Sequence, residues 1–323
     1  MTSSLRPLTE RILARLPGRT PLWIVLWALV PWANAGLNVL LGRSTSAVWE
    51  QNAALVILNY AAISFAVVVS LWGTHRIARR LEALVPSTGE ADGRLHPFRA
   101  MNSAVGPLLL SAAAAIAFGL AAYFRDGGVA ALLRGGTWFV LGIALLTFLW
   151  VYGTLLFGLN QLGRERLITE EMHVDPGLGL EPLGGIAATG LWMLIAWLVP
   201  VFLTGLPDVV GAIIGTVVLG LVLVAFFLSL LRLHWQMVEV KKGELAVARD
   251  LYREAYAPVH QARTLDALEE QTGLLSAADA LEKRASAIHE WPFEERTPTI
   301  VITIVTSVVA MTLGRLILNP LGL

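Results

Sequence analysis

Apolar residues along this chain run in long stretches, and charged residues are confined between them. Seven stretches stand out: Leu22–Leu41, Ala53–Trp72, Ala104–Tyr123, Thr137–Leu159, Gly184–Leu206, Val209–Leu231 and Thr299–Leu318. Each holds about 20 residues, or roughly 30 Å of helix, which is the thickness of a bilayer's hydrocarbon core. Only Pro207-Asp208 separates the fifth from the sixth, so those two are expected to form a tight hairpin. The pattern predicts an all-α, polytopic membrane protein with seven transmembrane helices.

Outside the stretches the periodicity changes. Leu8, Ile12, Leu13 and Leu16 fall on one side of a helix, with Arg11, Arg15 and Arg19 elsewhere. This fits an amphipathic helix on the membrane surface, or a basic tail that only sets orientation. Beyond Leu231, Leu233, Met237, Val240, Val247, Leu251 and Ala255 recur on one side of a helix until Pro258. No proline precedes Pro258 in this region, so the sixth crossing is expected to run on into water as one helix. Leu274, Ala278, Leu281, Ala285 and Ile288 then alternate spacings of four and three, a heptad-like seam. The elbow Trp291-Pro292-Phe293 breaks the helix before the last stretch. The expected organisation is an N-terminal segment (1–21), a six-helix transmembrane region (22–231), a cytoplasmic helical region (232–298), and a seventh transmembrane helix with a short outer tail (299–323).

Lys and Arg set the orientation. The N-terminus and the second, fourth and sixth loops carry most of them, including Arg76, Arg79, Arg80, Lys241 and Lys242. The opposite loops carry only Arg43, Arg125 and Arg134. This asymmetry predicts a cytoplasmic N-terminus and, after seven crossings, an outer C-terminus, in a multi-pass protein of the plasma membrane.

Small residues mark where helices approach closely in lipid. Ser111, Ala115 and Gly119 recur every four residues on the third stretch, and Gly211 and Gly215 form GxxxG on the sixth. Pro31 and Pro200 lie inside stretches, and each is expected to free a carbonyl that needs a new partner.

Composition sharpens this picture. Of 323 residues, 56% are hydrophobic and 15% charged, where a soluble domain carries about a quarter charged. Net charge is 0, which gives no footprint for nucleic acid. With no cysteine there is no disulfide, thiolate metal site or Cys nucleophile. No P-loop, GxSxG, HExxH or dinucleotide fingerprint is present, so no enzyme, no cofactor and no metal centre is expected. Glu170 and His173 are spaced as in some di-metal bundles, but without the second such pair those need; a solvated acidic loop is the reading.

Three sets of residues carry candidate function. Thr299, Thr303, Thr306, Ala310 and Gly314 form a small, hydroxyl-bearing stripe on the last stretch. Around a symmetry axis such a stripe would line a weakly polar pore; in one chain it would be a packing face with each Thr bonded to its own helix. Leu274, Ala278, Leu281, Ala285 and Ile288 form the seam, to be covered by the chain itself, by inner extensions of other crossings or by another subunit. Asn34 and Asn38 share a face of the first stretch, where they would line a cavity or hydrogen-bond between helices. No charged side chain lies in the middle of any stretch, which argues against ion- or proton-coupled transport.

An inner N-terminus, an outer C-terminus, a cytoplasmic helical region between crossings six and seven, and a last helix broken at Trp291-Pro292-Phe293 together resemble the seven-helix chemoreceptor-like ion channel superfamily that includes insect odorant and gustatory receptors. The aromatic and glutamine signature of those receptors' last helix is missing from Thr299–Leu318. The resemblance implies a tetramer with a cytoplasmic helical anchor and a pore-lining seventh helix. The first functional expectation is therefore a homo-oligomeric, weakly selective channel in the lipid bilayer. A non-conducting sensor or scaffold that binds a partner through 232–290, and a small-molecule permease with a pocket near Asn34, Asn38 and Pro200, are the alternatives.

Overall fold

The structure, a computed structural model, describes residues 5–41, 46–84, 96–164, 180–205, 209–259, 265–292 and Thr306. These are helical with short connections: α1 (Leu8–Arg15), α2 (Thr20–Ala28), α3 (Val30–Leu40), α4 (Ser46–Leu84), a 3-10 turn (His96–Asn102), α5 (Val105–Asp126), α6 (Gly128–Leu162), α7 (Glu181–Gly205), α8 (Val209–Val259) and α9 (Leu265–Ser286). Among the described residues, the five helices α4 to α8 are long and apolar enough to cross a membrane, and α2 with α3 makes a sixth if the bent pair is one crossing. The fold is that of a membrane-embedded helical protein. The seventh expected crossing, Thr299–Leu318, lies outside the described residues except for Thr306, which is helical.

The chain divides into two compact units. The first comprises Met1–Gly158, Ile186–Phe226 and Val301–Leu323. Its centre is where α4, α6 and α7 meet. A Cβ on Gly73 of α4 would stand 2.7 Å from both Phe148 Cε2 and Met193 Sδ, and one on Gly190 of α7 would stand 2.5 Å from the Tyr152 ring. Phe148 and Tyr152, one turn apart on α6, stack in parallel and fill the two notches that these glycines leave. Ala66, Val67, Ile77, Ala144, Leu155 and Leu191 complete a fully buried core around them.

Pro31 breaks the first apolar stretch. It lies in the first turn of α3, and α2 and α3 meet at 45°. Proline's missing N–H and its ring leave carbonyls of the preceding turn without their helical partners. One of these, on Ala28, accepts a hydrogen bond from the Ser64 hydroxyl of α4 at 2.6 Å, and the same hydroxyl oxygen accepts from Trp32 Nε1 at 3.0 Å. Pro200, by contrast, sits inside α7, which continues to Gly205.

The small-residue stripe of α5 packs as its spacing predicts. Gly135 of α6 faces Ala115 and Gly119 so closely that an added Cβ would stand 3.1 Å from the Ala115 carbonyl oxygen. Gly142 faces Ser111 in the same way, at 3.2 Å. The reversal between the two helices rests on Gly127 alone, with φ 89°. The sequence pattern places a loop over residues 124–136; α6 instead starts at Gly128. Gly135 and Gly136 look like loop glycines in sequence, but Gly135 is where the two backbones touch.

The N-terminal helix is docked onto protein. Leu5, Leu8 and Thr9 are buried. The Arg6 backbone N–H donates to Asn102 Oδ1, and the Arg11 guanidinium donates to the Asn102 carbonyl, both at 2.7 Å. Glu10 lies 2.8 Å from His75 Nδ1. A loose basic tail is therefore set aside, and α1's apolar side has protein under it as well as any bilayer surface.

The second unit comprises Leu159–Gly185 and Phe227–Ile300. The distal part of α8 and all of α9 form an antiparallel hairpin. Its register follows from the Tyr252 hydroxyl near Asp279 (3.5 Å) and Lys241 near Glu290 (3.2 Å), pairs whose positions sum to the same value. Small residues fill the seam: Ala248 and Ala255 of α8, Ala278 and Ala285 of α9, all buried.

Candidate functional site

The most built polar and aromatic cluster in the second unit is at the elbow that follows α9. α8 carries no proline between Val209 and Pro258, so its turns stay in phase and put Phe227 and His234 on one side, two turns apart. His234 stacks on Trp291, with ring centroids 4.2 Å apart and planes 18° apart. Phe227 meets the same indole edge-on at 5.8 Å. His234 Nδ1 lies 2.7 Å from the Glu290 carbonyl oxygen. A carbonyl only accepts, so Nδ1 carries the proton and donates. The Glu290 side chain reaches back to Lys241 Nζ at 3.2 Å.

Beneath the elbow, Pro292 packs against Gly184, where the fifth apolar stretch begins, and its carbonyl occupies the place where a side chain on Gly184 would start. Gln236 Nε2 donates to the Gly163 carbonyl at 3.0 Å, and an added Cβ on Gly163 would stand 2.8 Å from Arg232 Cβ. Leu230, Leu233 and Met237 are fully buried in the same region. The elbow is therefore fastened to α8 by aromatic contacts from His234 and Phe227, a backbone-directed imidazole and an ion pair. Among the described residues no group of three His, Asp or Glu side chains is placed to hold a metal ion. The arrangement is mechanical: it fixes the direction in which the chain leaves α9.

Of the hydroxyl stripe, Thr306 is helical and exposed, while Thr299, Thr303, Ala310 and Gly314 lie outside the described residues. Of the seam, Ala278, Ala285 and Ile288 are buried within the single chain, Leu281 is half-buried and Leu274 is exposed. Asn38 donates its amide to the Asn34 carbonyl of its own helix at 2.8 Å, and the bond is half-buried. The Glu170–Asp175 acidic loop and Phe293 lie outside the described residues.

Four interior hydroxyls of the first unit are turned back on their own helices. Thr74 donates to Ser70, Ser111 to Pro107, Thr147 to Ile143 and Thr154 to Trp150, each to a backbone carbonyl four residues earlier. Their protons are committed in this way and their oxygen lone pairs are not, while the buried Ser70 hydroxyl has no hydrogen-bond partner among the described residues.

Sequence reasoning singled out the elbow through its Trp-Pro-Phe step, but it missed His234, Ser64 and Asn102. Ser64 and Asn102 act across 36 and at least 91 residues of sequence, with no periodic signal to mark them. No family model matches the chain, and no curated protein or solved structure matches it either.

Proposed function

We propose that this chain is a membrane-embedded scaffold or sensor that presents the α8–α9 hairpin to a soluble partner on the cytoplasmic side of the membrane. The observation that carries this reading is the hairpin itself. Its seam is closed by its own alanines, so it is a finished element whose outer faces are open to another molecule. Tyr256 and Leu274, which the register puts at one level of the hairpin, are exposed amid Arg253, Glu254 and other charged residues. The cytoplasmic placement rests on the Lys and Arg distribution.

The test is capture with the full chain in nanodiscs. A soluble partner should co-purify, be lost on Tyr256→Asp with Leu274→Asp, and leave planar bilayers electrically silent. Steady conductance from the purified protein would overturn the reading.

The second reading is the homo-oligomeric, weakly selective channel, and the observation that favours it is the exposure of Thr306 on a helical turn. The hydroxyl-bearing stripe lies on the last stretch, so conduction would run along that stretch between copies. This reading predicts a tetramer, as the chemoreceptor-like resemblance implies, and a severalfold fall in conductance on Thr303→Leu or Thr306→Leu. A monomeric particle would sink it.

A further inference from the structure

The outward side of α4 changes character along its length. Leu58, Phe65, Val68 and Trp72 are exposed and fall within a single arc of about 100° on the helix. One or two turns on, the same arc carries His75, Arg76 and Arg79. The apolar part runs for about 20 Å, which exceeds the ~15 Å depth of one leaflet's hydrocarbon. The basic part begins where that leaflet ends. Arg76 is folded back so that its guanidinium carbon lies 4.7 Å from the Trp72 ring centroid, at the boundary where tryptophan settles in membranes.

The charge at this boundary is only partly matched. His75 is taken up by Glu10 of α1 at 2.8 Å. Arg79 has Glu82 at 3.7 Å, beyond hydrogen-bond distance, and its side chain is exposed. Arg80 turns away to Thr189 of α7 at 3.4 Å. Among the described residues, Arg76 Nε is buried with no acceptor. A buried donor without an acceptor costs free energy, and a charged one costs more. An acceptor with negative charge, sited beside an apolar stripe of acyl-chain length, meets every one of these features.

We propose that this face of α4 is a binding site for an anionic phospholipid, whose acyl chains lie along Leu58, Phe65, Val68 and Trp72 and whose phosphate is held by Arg76 and Arg79. The indole of Trp72 separates the two parts and fixes the depth of the phosphate. The site is independent of whether the protein conducts or binds a soluble partner.

The experiment uses the full chain extracted from a bilayer of equal parts phosphatidylglycerol and phosphatidylcholine, with retained lipid counted by native mass spectrometry. The wild-type chain should retain phosphatidylglycerol at least fivefold over phosphatidylcholine. Arg76→Gln with Arg79→Gln should bring the ratio close to one, and Arg76→Lys with Arg79→Lys should keep a clear preference. Equal retention by wild type, or an undiminished preference in the glutamine pair, would overturn the proposal. If the glutamine pair does not fold, quenching of the wild-type protein by brominated phosphatidylglycerol decides instead. The component of tryptophan emission removed by Trp72→Phe should be quenched more by the brominated anionic lipid than by its choline counterpart, and equal quenching overturns the site. Soluble glycerophosphate provides the last arm: it should not raise the thermal midpoint, and a rise equal to that given by the lipid would overturn the lipid site in favour of one for a free phosphate ester.

Discussion

The Ser64 hydroxyl donates to the Ala28 carbonyl at 2.6 Å, beside the break that Pro31 makes between α2 and α3. One side chain of α4 therefore repairs a backbone defect in α2, and it holds the Trp32 indole at the same time. Ser64→Ala removes both partners at once. It should destabilise the protein by about 1–3 kcal/mol, the usual cost of orphaning a buried polar group. Ser64→Thr should restore most of the loss. The check is a thermal melt of the purified protein in one fixed lipid or detergent.

The α5–α6 crossing gives a second, sharper comparison. Gly135→Val should cost about 1–3 kcal/mol, because its methyls meet the Ala115 carbonyl and the Gly119 backbone, which have no room to yield. Gly136→Ala, at the neighbouring position with nothing within 4 Å of the added carbon, should be neutral or stabilise by up to about 1 kcal/mol through helix propensity. Equal effects at the two positions would refute the close approach. Melting midpoints of the two variants side by side decide it.

At the elbow, Gly184→Ala should be among the most damaging single changes, since the Pro292 carbonyl must move before any Cβ can exist there. Gly185→Ala, which meets nothing within 4 Å, is the control. His234→Ala should be milder, at about 1–2 kcal/mol for a lost ring contact and a lost hydrogen bond. Hydrogen exchange over residues 227–241 should rise in Gly184→Ala and His234→Ala and stay unchanged in Gly185→Ala.

Asp279 on α9 gives a pH dependence with a definite sign. The hydrogen bond from Lys283, then that ammonium's charge, hold the Asp279 carboxyl below its ordinary value, with a smaller contribution from Tyr252. A carboxyl lowered in the folded state stabilises above its unfolded value, near 4, and that stabilisation is lost as pH falls through the lower folded value. The hairpin should therefore loosen slightly as pH falls below about 4 in the wild type, and Asp279→Asn should abolish this component. Both groups are exposed, so the effect is small and should shrink further in high salt. Hydrogen exchange over 245–286, corrected for intrinsic rates, measures it.

Much of the layout is legible in the sequence because lipid imposes a simple grammar. Among the described residues, long apolar runs reappear as five helices long and apolar enough to cross, the proline at Pro31 as a kink, and the small side chains spaced by four at Ser111, Ala115 and Gly119 as a close contact. The uninterrupted continuation of the sixth crossing is likewise found, as the 51-residue α8. What periodicity does not encode is the single long-range hydrogen bond. Asn102 reads as an ordinary polar turn residue, yet it ties down both Arg6 and Arg11. The seam shows the opposite limit. Its spacing correctly marks a packing face, but spacing alone does not say that Ala248 and Ala255 of the same chain lie opposite.

The seating of Phe148 against Gly73 and of Tyr152 against Gly190 has a mechanical meaning. Two rings one turn apart, each lodged in a recess on a different neighbour, work like keys in a lock. For α6 to slide or roll past α4 and α7, both rings would have to climb out together, and the Tyr152 hydroxyl would have to leave the Ala187 carbonyl. Those three helices are thus geared to travel as one block. Any rearrangement the protein undergoes in the bilayer is left to the helices at its margin.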